Sequence, residues 1–302
     1  MTLCLSACCN IIGQIYVQGF QQVKSGNSFL ILEKLFPCFR MNESLEYSIR
    51  VSSLFYSNWE GGENNNFAAL LHELRFKNVT EIKNRWKISG EFIHALGFQY
   101  FFDSIHRFHI DENIIRCMIE RKLPLHFFVN CSVECTSRLF NDYLYHLNDS
   151  NQIIRVRNTS FLTPLVCIIH SGLGWKHTGW GSINLGISGA KLTYIRDQQV
   201  FDAQGIDEFY GVPAGNKHRF EYGIVIQVLL SRPLLKIIQW DFDLKLFRNF
   251  NAPWDVTLQN LIDIRLNRFL KLTFKTKVIY EEDLSRRLQM QHLLSAGFYC
   301  RL

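Results

Sequence analysis

The sequence lacks any run of about 18 uninterrupted apolar residues, so no transmembrane helix is expected. It also lacks a block of five or more basic residues, and its net charge of +6 is spread along the chain. Direct nucleic-acid binding therefore receives no support. The 9 cysteines are an odd count without a CxxC pair, which favours a cytosolic protein with reduced thiols. The absences together predict a cytoplasmic protein with no membrane span.

The composition that is present indicates a folded chain. The 302 residues are 47% hydrophobic, 14% aromatic and 20% charged, which predicts a well-cored protein rather than a disordered one. Leu5 to Cys8 matches the end of a bacterial lipoprotein signal, but the basic segment and hydrophobic core of such a signal are missing. We interpret residues 1–27 as an N-terminal extension and residues 28–302 as one domain.

The stretch Leu123 to Ser132 predicts a strand, because it is short, aromatic-rich and opened by a proline. Side chains alternate across a strand, so Phe128, Asn130 and Ser132 should share one face. An amide and a hydroxyl on such an apolar strand need hydrogen-bond partners if they are buried.

Other segments favour a regular alternation of strands and helices. Strand-like runs occupy 44–55, 162–169, 234–240, 277–280 and 297–300, and the polar segment Asn58 to Asn66 predicts a loop. Helices are expected at 67–74, 89–97, 110–119, 134–147, 258–270 and 282–295. In 110–119, isoleucines at helical spacing follow acidic residues and precede basic ones, which suits a helix dipole. The order predicts an α/β fold, and eight such units suit a TIM-like (β/α)8 barrel.

Four segments, in order, resemble the EAL domain, the barrel family of cyclic di-GMP phosphodiesterases and their inactive relatives. They are Ser89–Gly97, Phe127–Ser132, Ile238–Asp241 and Val278–Glu282. They are similar to the family's "D/E-F-I-x-x-A-E-x-x-G", "x-x-V-N-L-S", "I-K-x-D" and "V-I-A-E-G-V-E" patterns. The resemblance covers Phe29 to the C-terminus and implies a (β/α)8 barrel of EAL type, with an insertion in 172–232 and a truncated C-terminus.

The resemblance also implies a damaged metal site. Hydrolysis of a phosphodiester with Mg²⁺ or Mn²⁺ needs clustered oxygen ligands at the strand ends. Ser48 stands at the position of the family glutamate, and Cys167 and His170 replace carboxylates. Gln239 stands at the position of the catalytic lysine, and Glu281 keeps the glutamate of the family's "A-E-G-V-E" pattern as the second catalytic position. The metal positions that keep an oxygen ligand are Asn130, Asp207, Glu208 and Asp241.

This residue set predicts an inactive site, since losing one transition-state group typically costs orders of magnitude in rate. The implied function is a regulatory protein that binds a protein partner, such as a transcription factor, and needs no cofactor. The alternative is a phosphodiesterase or cyclic di-GMP sensor with a residual Mg²⁺ or Mn²⁺ site, and a third possibility is a decayed gene product. Val212 to His218 resembles a cupin motif but also fits a Pro/Gly turn, and His106 with His109 lacks a nearby third zinc ligand.

Overall fold

The chain folds as a closed barrel of twelve antiparallel strands. The structure is a computed structural model and describes residues 39–57, 67–100, 106–147, 153–177, 179, 181–250, 253–281 and 285–301. The expected α/β fold with a TIM-like (β/α)8 barrel of EAL type is therefore wrong, since every pairing between barrel strands is antiparallel. The N-terminal extension 1–27 and the loop Asn58 to Asn66 lie outside the described residues.

Sixteen strands are described in chain order, and twelve of them form the barrel. The bounds are β1 (Phe39–Ser57), β2 (Phe67–Ile82), β3 (Trp86–Tyr100), β4 (His106–Lys122), β5 (Phe127–Ser137), β6 (Asp142–Leu147), β7 (Ile153–Thr159), β8 (Leu165–His177), β9 (Gly181–Tyr194), β10 (Glu208–Phe209), β11 (Val212–Pro213), β12 (His218–Leu235), β13 (Ile238–Asn249), β14 (Trp254–Arg265), β15 (Leu270–Glu281) and β16 (Ser285–Arg301). The short pairs β6–β7 and β10–β11 stand apart from the barrel. One helix, α1 (Gln199–Gln204), and a 3-10 turn at Pro124–His126 complete the described elements. In the described part of the chain, no helix is long and apolar enough to cross a membrane.

The two ends of the barrel differ in the length of their connections. At one end, called the turn end, five connections of two to four residues join the strands: 83–85, 123–126, 178–180, 236–237 and 266–269. The opposite end, called the loop end, carries the long connections 138–164 and 195–217. Strand β1 begins at the turn end and pairs with β16, which closes the barrel. A closed barrel has no unpaired strand edge.

Side chains alternate between the lumen and the outer face, as the pleat requires, except where a bulge shifts the register, as on β9. On β1, Ser48, Arg50, Ser52 and Leu54 point inward and are at most 4% exposed. Their neighbours Tyr47, Ile49, Val51 and Phe55 point outward and are 37–64% exposed. The same contrast recurs on β9, where Asn184 and Lys191 are buried while Ile183 and Leu185 are exposed. The wall therefore has a polar inner face and an apolar outer face.

The same alternation of inward and outward side chains explains why segments expected to be helices are strands. In 110–119, Ile110 and Ile114 face the lumen beside Glu112 and Arg116, while Ile115 faces outward. Apolar residues thus occur on both faces, which conceals the period of two and mimics a helical repeat. The segments 67–74, 89–97 and the described part of 282–295 are likewise barrel strand. The segment 258–270 is barrel strand up to Arg265 and then a turn, and 134–147 contains the end of β5, a connection and the separate strand β6.

The long connections fold together at the loop end into one unit, which we call the cap and which contains the described residues 138–147, 153–164 and 195–217. Its core consists of buried Ile195, Phe201 and Val212 with Ile206 and Phe209 packed against them. The Gln204 amide donates to the backbone oxygens of Arg157 and Asn158, both at 3.2 Å. These bonds join α1 to β7, so the two connections form one folded body above the barrel.

One side of the lumen is filled with apolar side chains. Leu54, Ala69, Leu71, Ala95 and Leu293 form a buried cluster on β1, β2, β3 and β16. All five lie at inward positions of their strands. The open part of the lumen is therefore displaced toward the other strands.

A disulfide joins neighbouring strands on the outer face. Cys135 of β5 and Cys167 of β8 lie directly opposite each other in the register and are bonded. The expectation of reduced thiols does not hold for this pair. Cys167 was also expected at a carboxylate position of a metal site, and the bond removes it from that role.

Candidate functional site in the barrel lumen

Ion pairs cross the lumen between strands that are not neighbours. The Lys277 ammonium of β15 donates to the Glu112 carboxylate of β4 at 2.8 Å. Five strand steps separate β15 from β4 by way of β16, β1, β2 and β3, so the pair spans the barrel. Lys275 also lies 3.9 Å from Glu112.

Arg116 is the centre of a second crossing. Its guanidinium donates to Glu134 at 2.6 Å and to Glu91 at 3.1 Å on the two strands beside its own. It also lies 3.8 Å from Asp243 on β13, across the lumen. Lys245 of β13 donates back to Glu134 of β5. The four groups Arg116, Glu134, Asp243 and Lys245 therefore form a charged layer that connects the opposite walls at mid-height, which we call the crossing layer.

A cavity of about 480 Å³ lies between the crossing layer and the cap. Its floor contains Arg116, Glu134, Asp243 and Lys245, and its roof contains Gln204, Ile206 and Glu208 to Tyr210 of the cap. We call this cavity the chamber. A volume of this size lies within the range of small-molecule sites, roughly 300–1,000 Å³.

The charged side chains on the chamber wall are paired with one another. Lys191 of β9 donates to Asp255 at 2.9 Å and also to Glu281. Lys191 is 4% exposed, so the two carboxylates replace the water that its ammonium loses on burial. A second, smaller cavity of about 50 Å³ lies beside Arg50, Glu73 and Lys271, away from the cap.

The structure separates the residues that the sequence assigned to one site. Gln239 lies at the turn end of β13 and donates to Asp241 at 3.0 Å. Glu281 is the last residue of β15, at the loop end, where it binds Lys191. Asp207 and Glu208 belong to the cap, where Glu208 lies 3.8 Å from Arg219. The predicted catalytic pair Gln239 and Glu281 thus occupies opposite ends of the barrel.

The remaining predicted positions line the lumen at different strands. Ser48 on β1 is 2% exposed, and Asn130 on β5 is 6% exposed and donates to the Met118 sulfur. His170 on β8 accepts or donates a 2.6 Å hydrogen bond with Ser132. Within the described residues, no three His, Cys, Asp or Glu side chains are placed to hold a metal ion. The side chains of His106 and His109 lie outside the described residues. A residual Mg²⁺ or Mn²⁺ site stays a prediction.

The lumen residues that sequence reasoning missed carried a readable signal. In β13 the run Asp241, Asp243 and Lys245 places a charge at every second position between aromatic and aliphatic residues. On β15, Lys271, Thr273, Lys275 and Lys277 place a polar side chain at every second position in the same way. A period of two with charged and apolar partners is typical of a barrel strand that faces water on one side and lipid on the other.

No protein-family model and no curated protein matches the sequence. Solved structures with a similar fold include the translocator domain of the autotransporter NalP from Neisseria meningitidis, at 7% identity and a TM-score of 0.42 over 99% of this chain and 97% of that one. The NanC porin matches at 8% identity and 0.40 over 83% and 98%. An outer membrane channel from Pseudomonas putida F1 matches at 8% and 0.41 over 86% and 94%. These scores are too low to support a functional argument, so the fold rests on the chain's own strand pairing.

The family, fold and function expected from the EAL resemblance are therefore wrong. A degenerate EAL regulator, with cyclic di-GMP hydrolysis or sensing as its alternative, requires a (β/α)8 barrel that this chain does not form. The predictions of a cytoplasmic location, of a protein regulator as partner and of no membrane span are wrong as well. The outer face carries exposed apolar side chains around the barrel, which a water-soluble protein rarely presents as a contiguous surface.

Proposed function

We propose that this chain is an integral outer-membrane β-barrel that forms a narrow channel for small solutes. The observation that carries the proposal is the apolar outer wall around a charged lumen. The exposed outward residues include Ile49, Val129, Leu173, Leu185, Tyr222, Phe274 and Leu294. Only helices and closed barrels satisfy every backbone group inside a bilayer, and an even number of strands with one lipid-facing side is typical of bacterial outer-membrane barrels.

Two further features support this location. Short turns at one end and long connections at the other are the usual arrangement, with the turns in the periplasm and the loops outside the cell. The Cys135–Cys167 disulfide is typical of an oxidising compartment such as the periplasm. The cap would then face the outside and the turn end the periplasm.

The crossing layer argues for a narrow path rather than a wide pore. Arg116, Glu134, Asp243 and Lys245 lie in the lumen between opposite walls, and a solute must pass among them. We therefore expect low conductance and size selectivity.

Membrane insertion can be tested by flotation. After the chain is refolded in the presence of lipid vesicles, it should float with the vesicles to the top of a density gradient. Washing with urea or carbonate should not release it from the vesicles. Recovery of a monomeric, folded chain in the aqueous fraction would end the proposal. Planar bilayers then test the channel, where we expect discrete steps smaller than those of an open general porin; an inserted barrel with no conductance at any voltage would contradict the transport part alone.

A further inference from the structure

We infer that the chamber is a binding site for an uncharged solute with one apolar face and one hydroxyl-bearing face. The inference rests on the proposed function only in that the solute reaches the chamber from the loop end. It deepens that function by naming the chemical class of the solute.

Apolar side chains occupy part of one chamber wall. They are Ile114 of β4 and Val166 and Ile168 of β8, which flank Thr136 and Glu134 of β5, and Ile206 and Phe209 add apolar surface in the roof. Apolar surface in a polar lumen gains free energy only when an apolar group covers it, by roughly 25 cal/mol per Å². This wall therefore favours a solute with a flat hydrocarbon or aromatic face.

Other lining residues offer uncharged hydrogen-bonding groups. Thr136, Asn158, Thr257 and Gln291 contribute hydroxyls and amides. Thr159 adds a more specific feature: the residue is 2% exposed, lines the chamber, and its hydroxyl oxygen has no hydrogen-bond partner among the described residues. An unsatisfied buried hydroxyl costs about 1–3 kcal/mol, and a ligand hydroxyl in the chamber would satisfy it.

The charges of the chamber do not favour a charged solute. Lys191 already contacts Asp255 and Glu281, Lys277 contacts Glu112, and Lys245 contacts Glu134. A charged ligand would lose its hydration and would have to compete with these internal partners. Uncharged recognition therefore fits the pairing better than anion or cation binding.

The test uses three probes that differ in one property each. Phenyl β-glucoside has an apolar ring and hydroxyls, glucose lacks the ring, and phenyl β-glucuronide has a carboxylate in place of the C6 hydroxymethyl group. Titration calorimetry on the barrel in lipid vesicles, with empty vesicles as blank, should give saturable binding of phenyl β-glucoside. Glucose and the glucuronide should bind at least about tenfold more weakly, a difference of about 1.4 kcal/mol.

Matched variants separate the chamber from the lipid surface. Ile168→Ala removes part of the apolar wall, whereas Ile169→Ala removes the adjacent outward side chain of the same strand. We expect the first to weaken phenyl β-glucoside binding about tenfold and the second to leave it unchanged. Thr159→Val, which replaces the unsatisfied hydroxyl by a methyl group, should also weaken binding without lowering the stability of the barrel.

Three results would overturn the inference: equal binding of all three probes, tighter binding of the glucuronide, or equal loss in both isoleucine variants. If the barrel floats with vesicles and conducts but binds none of the probes, the inference about the chamber is also overturned, whereas the proposed function stands. A chain that does not insert would not float with the vesicles, so failure of the proposed function is distinguishable from failure of the binding inference.

Discussion

The Lys277 ammonium and the Glu112 carboxylate meet at 2.8 Å across the lumen, although their strands are separated by five steps around the wall. Each partner is about four-fifths buried in its side chain. Removing one charge would leave the other in the lumen without its main partner. The pair therefore contributes to stability and narrows the channel at the same time.

We predict that Glu112→Gln lowers the free energy of unfolding by about 1.5–3 kcal/mol, the range for hydrogen bonds to charged groups, and raises conductance. Urea unfolding in vesicles followed by tryptophan fluorescence measures the first effect, and single-channel recording the second. Glu43→Gln is the control, because Glu43 is exposed and accepts a bond from Asn78 far from the crossing layer. Unchanged stability and conductance in Glu112→Gln would show that the Lys277–Glu112 pair neither stabilises the barrel nor narrows its lumen.

Two glycines should respond oppositely to the same substitution. At Gly174, which faces the lumen, an added Cβ would lie 2.2 Å from the Phe128 ring and 2.5 Å from the Asn184 amide oxygen. Gly174→Ala should therefore destabilise the barrel by about 1–3 kcal/mol, as overpacking does. At Gly90 an added Cβ meets nothing within 4 Å, so Gly90→Ala should stabilise the strand by about 0.5–1 kcal/mol. A urea midpoint that rises for Gly174→Ala would contradict the packing around Gly174, and one that falls for Gly90→Ala would contradict the open space at Gly90.

Part of this fold was predictable from local pattern. The alternation expected for Phe128, Asn130 and Ser132 is present in β5, where all three face the lumen. The strand-like runs at 44–55, 162–169 and 277–280 also fall largely in barrel strands. These segments could be predicted as strands because alternation of apolar and polar residues with a period of two is a local signal of a half-buried strand.

The closure and the environment were not predictable in the same way. Excluding an apolar run of about 18 residues removes a membrane helix, but a membrane strand needs only about 9–11 residues with every second one apolar. Lumen residues such as Leu54, Leu71 and Leu293 add apolar side chains on the wrong face and weaken that signal. The partners in the lumen, such as Lys277 and Glu112, are 165 residues apart and meet only once the barrel closes.

The disulfide gives a prediction about redox chemistry. The chain refolded with oxidant should carry the Cys135–Cys167 bond, seen as one linked peptide pair in non-reducing mass mapping. Cys135→Ser with Cys167→Ser should lower stability by up to about 3–4 kcal/mol, the size expected for a closed loop of this length. Cys300→Ser is the control, since Cys300 is an exposed free thiol. Full alkylation of both thiols in the folded, unreduced chain would contradict the bond.

The lipid-facing wall gives the sharpest prediction, because neighbouring residues of one strand should behave differently. Val228 of β12 points outward between Ile183 and Leu244, while Gln227 points inward and donates to Asp243 at 3.3 Å. In a bilayer, Val228→Arg should destabilise the barrel by about 2–4 kcal/mol, the value for a lipid-facing arginine near the midplane. Gln227→Arg places the same charge beside a lumen carboxylate and should cost less than about 1 kcal/mol, the scale of a partly solvated ion pair. Urea unfolding in vesicles measures the loss of stability in each variant. Equal losses at the two positions would mean that the outer face does not contact lipid, and would contradict the proposed membrane location.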